Sequence, residues 1–317
     1  MTIMKNIPSL PQDPPPQFTD PSTLYGNLQT RSGMLYELWR AFRKNKFAVT
    51  SSMLLLLVLL ITLIAPLLAT HDPTYINLNR DYIKLAPSAA HFMGTDHLGR
   101  DIWSRMLFGS RVSLMVGFLT MFISVGVGAT YGAIAGYYGG RLDSVLMRAV
   151  DILLSLPTMF LLIILAAFIK PNFFGIAVII GLTSWMRVAR LVRGQFLSLK
   201  EQEFVEASRA LGYPNSRIIF VHILPNVTAP IIVNATLMVA YAILIESALS
   251  FLGLGVQPPQ FSWGSMLNAA QDINLLRQAP WTALFPGLAI FITVLCFNFF
   301  GDGLRDALDP KLKNIKG

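Results

Sequence analysis

Glu201–Asn226, EQEFVEASRALGYPNSRIIFVHILPN, is a polar segment lying between long apolar runs. Its pattern predicts two short helices broken at Gly212-Tyr213-Pro214-Asn215-Ser216. Phe204, Ala207 and Leu211 fall at i, i+3 and i+7, one apolar stripe on the first helix. Gly212 suits the position just past a helix end, where a positive φ is needed. Pro214 bars a simple continuation, and Asn215 or Ser216 supplies a cap for the second helix. That helix carries Ile218, Ile219 and Ile223 and is expected to stop at Leu224-Pro225-Asn226. A surface hairpin of this kind is built to dock into something outside a membrane.

The flanking runs set the class. The 317-residue chain is 54% hydrophobic and only 13% charged, far from a soluble balance. At roughly 20 residues per span, it holds about six. The first is Phe47–Thr70, free of charge. The others are centred in Val112–Tyr138, Ile152–Ile169, Phe173–Met186 continuing to about Leu191, Val227–Gly255 and Trp281–Phe300. The runs lack the alternation of a barrel, and a helix satisfies its own backbone polar groups in lipid. The expected fold is therefore an all-α integral membrane protein. The single cysteine, Cys296, sits in an apolar run and forms no internal disulfide.

Charge gives the orientation. With the N-terminus cytoplasmic, 18 of the 25 Lys and Arg residues fall on the cytoplasmic side and seven on the other. Both termini and the 201–226 hairpin are then expected inside, where ATP is. The same bias accounts for the net charge of +8 without a nucleic-acid partner. Residues 1–33 are proline-rich and read as a flexible cytoplasmic tail rather than a signal peptide. In 34–46, Leu35, Leu38, Trp39 and Phe42 share a face beside Arg40, Arg43, Lys44 and Lys46. That pattern predicts an amphipathic helix on the cytoplasmic lipid surface.

The polar segment 71–111 follows the first span, and 112–317 forms a five-span core. In the polar segment, Asp96, His97 and Asp101 are metal-type donors. No second ligand cluster accompanies them, so the reading is structural, with Arg100 pairing Asp101 at the membrane edge and no metal expected. Gly139-Gly140-Arg141 ends the second span. Gly128, Gly132 and Gly136 make a small-residue stripe for close helix packing. Arg187, Arg190 and Arg193 anchor a helix end or meet a partner. Glu246 is the one carboxylate deep in the run 223–250, and bare burial costs several kcal/mol, roughly, so a partner or cavity must face it. Glu246 and Asn234 are the candidates for a substrate path.

No Gly-Lys pair occurs anywhere, so no phosphate loop of that type is present; nor is there a His-Glu-x-x-His or a Gly-x-Ser-x-Gly elbow. No catalysis is expected of this chain, and an ATP-driven process needs the ATPase on another polypeptide. A secondary transporter needs ionisable residues aligned in several spans, and only Glu246 stands out. A membrane enzyme needs a catalytic cluster at one depth, and the sequence offers none.

Several motifs converge on one family. Glu206-Ala207-Ser208, three residues, Gly212, then Leu224-Pro225 resembles the "EAA loop" of binding-protein-dependent ABC importer permeases. Ser208 and His222 stand where a second alanine and an isoleucine are usual. Gly94-Thr95-Asp96-His97-Leu98-Gly99-Arg100-Asp101 resembles the signature before the second span in the peptide and nickel branch, of which this chain is similar to the second permease. Ser250–Val256 with Pro258-Pro259 and Ser262-Trp263-Gly264 resembles that branch's periplasmic loop, and Gly301–Pro310 its ending. The resemblance covers about 35–313. It implies a type I importer permease fold in a prokaryotic plasma (inner) membrane, with a sister permease as heterodimer partner. Two ATPase subunits holding ATP and Mg, and an extracytoplasmic binding protein, complete the implied assembly. Glu206, Ala207, Ser208, Gly212, Tyr213, Leu224 and Pro225 become the implied ATPase-coupling residues. The implied cargo is peptides, with nickel chelates or oligosaccharides as alternatives.

Overall fold

The computed structural model describes residues 31–168 and 172–308, and among these no strand occurs. The element order is α1 (Arg31–Lys44), α2 (Lys46–Leu63), α3 (Ile102–Tyr138), α4 (Gly140–Ser155), α5 (Thr158–Phe168) and α6 (Phe173–Leu199). Then come α7 (Glu203–Ala210), α8 (Asn215–Phe251), α9 (Trp263–Leu267), α10 (Ile273–Gln278) and α11 (Trp281–Leu308). Among the described residues, five helices are long and apolar enough to cross a membrane, and the bent pair α4/α5 makes up to six.

The contact between α3 and α6 settles how the chain is threaded. Thr120 Oγ1 donates to the Ala177 carbonyl (3.2 Å) and Ser124 Oγ to the Gly181 carbonyl (3.1 Å), each across 57 residues. Gly128, Gly132 and Gly136 continue the seam against Trp185, Ala189 and Arg193. A Cβ on Gly128 would stand 2.6 Å from the Trp185 carbonyl oxygen, so only glycine allows this approach. A constant offset means the two helices run parallel. The chain between them must therefore return across the membrane, and α4/α5 is what returns. Their junction bends by 84°. Pro157 is the physical cause: it forces Leu156 into extended backbone (ψ 134°) and ends α4.

The other spans fit this frame. At one end of the molecule, Asn45 Nδ2 meets Asp306 Oδ2 at 3.3 Å, joining the starts of α2 and the end of α11. At the other, Arg111 donates to the Thr62 and Leu63 carbonyls (2.9 Å each), closing the C-terminal end of α2. The described ends of the first and last spans thus lie on the same side. Phe42 of α1 is buried beside Ala48 and Ala307 and meets Phe300 edge-on at 5.8 Å, so α1 docks on the bundle.

Several boundaries differ from expectation. The first span stops at Leu63, followed by a short helical turn at Ala65–Leu68 with Pro66 as its second residue. The second begins at Ile102, so the last ten residues of the 71–111 segment are helix; Asp101 caps it by accepting from the Ser104 amide (2.8 Å). Residues 152–168 are not one straight span: 152–155 are the last turn of α4, and α5 follows the bend, residue 169 lying outside the described residues. The amphipathic helix begins at Arg31, inside the stretch assigned to the tail; residues 1–30 lie outside the described residues, as do 309–317. Arg100 pairs with Asp96 at 2.7 Å, not with Asp101, because Asp101 is held by the helix cap and by His91.

Candidate functional site: the hairpin between α6 and α8

The hairpin is pinned from within by apolar burial. Val205 and Ser208 of α7 face inward with Ile218, Ile219, Ile223 and Val227, against Tyr137 of α3 and Phe196 of α6. The Tyr137 hydroxyl donates to Asn215 Oδ1 at 2.8 Å. Gly212 adopts φ +74°, as its place after a helix end requires. Tyr213 stacks on His222 (5.3 Å, 13°), and the Arg217 guanidinium lies over the Tyr213 ring at 4.4 Å. These contacts tie the turn to the second arm.

Two expectations need correction. Neither Asn215 nor Ser216 caps the second arm: Pro214 occupies the cap position without a side-chain bond, and the Asn215 side chain is engaged by Tyr137 instead. The second arm also does not stop at Leu224-Pro225-Asn226. It passes through a π-helical stretch, Ile218–Ile223, and a 3-10 turn, Leu224–Val227, straight into the span. Pro225 is accommodated because it lies in the first turn of the 3-10 segment, where its missing N–H is not needed, while Asn226 Nδ2 donates to the His222 carbonyl (2.7 Å). The second arm of the hairpin is thus continuous with a membrane-length helix, while α7 joins it through the turn at 211–214.

What the hairpin leaves outside is as informative. Phe204, Glu206, Ala207 and Leu211 are all exposed, Leu211 at 71%. The apolar stripe read from the sequence is therefore the outward face, and Val205 with Ser208 forms the inward one. Ser208 closes on its own helix, donating to the Phe204 carbonyl (2.7 Å). Glu203 and Glu206 in the first turn of α7 suit the positive end of the helix. Tyr213 and Leu224 are half-buried and Pro225 is exposed.

Around the base of the hairpin, α4 is tied to α6 by charge. Arg193 clasps Asp143 with two bonds (2.5 and 2.6 Å), and Arg190 meets Asp151 at 2.5 Å. Arg187 lies over Tyr241 at 5.0 Å. These intrachain partners were not foreseen: their acidic halves sit some 40–50 residues upstream, and spacing alone carries no signal for them.

The two substrate-path candidates separate. Glu246 is fully buried, and its Oε1 accepts from Ser250 (2.6 Å) and Ser262 (2.5 Å), joining α8 to the start of α9. Asn234 is half-buried with an Oδ1 that finds no partner among the described residues. At the end opposite the hairpin, a cavity of about 500 Å³ is lined by Arg100, Arg105, Gln257, Gln260 and Asn268 among others.

A helical bundle with a parallel seam, and with an exposed hairpin running into one of its long apolar helices, has the architecture of a multi-pass membrane protein. Comparison then fixes the family. Residues 128–314 match the model of the binding-protein-dependent transport system inner membrane component, and 33–87 match the N-terminal TM domain of oligopeptide transport permease C. The chain is 44% identical over 278 residues to the dipeptide transport system permease protein DppC of Alkalihalophilus pseudofirmus, covering 88% of this chain and 90% of that one. It is 46% identical over 276 residues to the oligopeptide transport system permease protein OppC of Haemophilus influenzae, covering 86% and 87%. Among solved structures, an inward-facing form of the MetNI methionine ABC transporter superposes with TM-score 0.53 at 19% identity, over 63% of this chain and 95% of that one, a likeness of fold. The chain belongs to the family of binding-protein-dependent ABC transport permeases, and within it to the DppC/OppC-like group.

Proposed function

We propose that this chain is the pore-forming permease subunit of an ATP-driven importer for peptides, in a prokaryotic plasma membrane with the hairpin and both termini cytoplasmic. The observation that carries the proposal is the hairpin: inward face locked by Val205 and Ser208, outward face of Phe204, Ala207 and Leu211 bare, and its second arm continuous with the rest of α8. A lever of this form suits an ATPase groove. The dipeptide and oligopeptide names of the similar permeases support the cargo class. The bias of Lys and Arg supports the orientation.

In this reading, two permeases enclose the path, two ATPases holding ATP and Mg sit below, and a binding protein delivers peptide from outside. The sister permease is a different chain. ATP binding draws the ATPases together and carries the Glu206–Leu211 face with them. The motion passes through Ile218–Ile223 into α8, and the bundle rocks between inward-open and outward-open forms. This chain supplies no catalytic residue. Asn234 faces the path, while Glu246 acts as a tie between α8 and α9 rather than as a ligand. The test is ATPase activity of the reconstituted transporter with Glu206 and Ala207 both changed to Arg. Loss of peptide-stimulated hydrolysis with normal membrane insertion is expected; unchanged uptake would remove the hairpin from the mechanism.

A further inference from the structure

We propose that His71, His91 and Asp101 form a site for a borderline divalent cation of the zinc type, at the end of the molecule opposite the hairpin. The three come from separate segments: His71 follows the first span, His91 lies in the loop, and Asp101 caps α3. The fold brings one donor atom of each to within 4.8 Å of the others. His91 Nδ1 stands 2.9 Å and His71 Nδ1 3.8 Å from Asp101 Oδ1, and the two rings stack at 4.6 Å. Tetrahedral zinc, with ligands at about 2.0–2.1 Å, sets its donor atoms about 3.3 Å apart, between those two spacings.

The framework is fixed while the donors can adjust. The His71 amide donates to Ser104 Oγ (3.1 Å), the His91 amide to Ser88 Oγ (3.2 Å), and Trp103 Nε1 to the Leu68 carbonyl (3.0 Å). Asp101 keeps Oδ2 on the Ser104 amide (2.8 Å), which leaves Oδ1 facing the two imidazoles. The His71 side chain is 42% exposed, which gives a cation its way in. Binding replaces the His91 Nδ1–Asp101 Oδ1 contact with two bonds to the cation. It also breaks the Thr70 Oγ1 contact to His71 Nδ1 (2.9 Å), and the His71 ring turns its lone pair inward. Water takes the fourth position. Two imidazoles and one carboxylate suit zinc and disfavour calcium or magnesium, which take oxygen ligands. The sequence carries half of this signal, since Asp101 is evident as a donor. His71 is 30 residues upstream and joins it only through the fold.

The experiment uses the full chain with a tag lacking histidine, stripped with chelator and dialysed against buffered Zn²⁺, with bound metal measured by mass spectrometry. Co²⁺ replaces Zn²⁺ in a second sample read by visible absorption. One equivalent of zinc per chain and the intense bands of four-coordinate Co²⁺ are expected. His71→Ala removes only an exposed ring, and Asp101→Asn keeps a capping oxygen; each should weaken retention at least about tenfold. Zinc should raise the melting temperature of the wild type and not of His71→Ala. Equal zinc in wild type and both variants, no zinc in any, or retention in His71→Ala with loss in Asp101→Asn would each overturn the three-ligand site.

Discussion

At the residue scale, four positions show how context decides a role. A Cβ on Gly132 would run into the Ala189 carbonyl, whereas one on Gly126 meets nothing within 4 Å. Gly132→Leu should therefore destabilise by about 1–3 kcal/mol or more, from overpacking against backbone, and Gly126→Ala should be neutral or slightly stabilising. Thermal melting in one detergent compares the two. Glu246→Gln retains an acceptor for Ser250 and Ser262 and should leave melting and peptide uptake nearly unchanged. Glu246→Leu strands both hydroxyls at about 1–3 kcal/mol each. Uptake abolished by Gln with unchanged melting would instead make Glu246 a ligand. His97 lies half-buried in the loop before α3, and burial, aided by Arg100, Arg105 and Lys84 against the pull of Asp96, holds its imidazole below the ordinary 6.5. The folded chain then binds fewer protons than the unfolded one below that pH. The stability from the neutral ring is present above 6.5 and is lost as pH falls through the folded value. The melting difference between wild type and His97→Gln should shrink or reverse on acidification from pH 7.5 to about 5.5, a window set around the ordinary His value. The glycine stripe was legible in the sequence because close packing imposes a period. The role of Glu246 was not, since its second partner, Ser262, lies 16 residues on across an irregular loop.

At the element scale, proline and charge shape the parts of the bundle that hydropathy misses. The bend between α4 and α5 had its signal in Ser155-Leu156-Pro157-Thr158, but an apolar run reads as one span when only its length is counted. The hairpin's exposed and buried faces were likewise half legible. The i, i+3, i+7 stripe located a real face, yet Leu211 and Phe204 point away from the bundle because the smaller Val205 and Ser208 fit against it. The continuity of α8 through Pro225 was hidden because a proline ordinarily ends a regular helix, and π-helical geometry is not readable from residue type. The two ion pairs on α4 should differ in weight. Asp143 is largely buried and held by two bonds, so Asp143→Ala should cost about 1–3 kcal/mol. Asp151 and Arg190 are both more than half exposed, so Asp151→Ala should cost under about 1 kcal/mol. Equal losses in melting would show that burial does not rank these pairs.

For the whole molecule, the parallel seam of α3 with α6 is the organising fact. It obliges the bent pair to cross, brings the spans to six, and leaves Asn45 and Asp306 on one side with the hairpin. Composition had given the number of spans, but not that two of them run parallel and in register, because a helix pair is fixed by contacts between distant residues. With this threading, one end carries the lever and the other the cavity and the loop before α3. The most direct measurement is photo-crosslinking from position 211 in native membranes, with every adduct identified and position 75 at the opposite end as control; both side chains are exposed, at 71% and 63%. The account predicts an adduct to a phosphate-loop ATPase from position 211 and none from position 75. An ATPase adduct from position 75 alone, or no ATPase adduct from position 211 in membranes that import peptide through this chain, would contradict it.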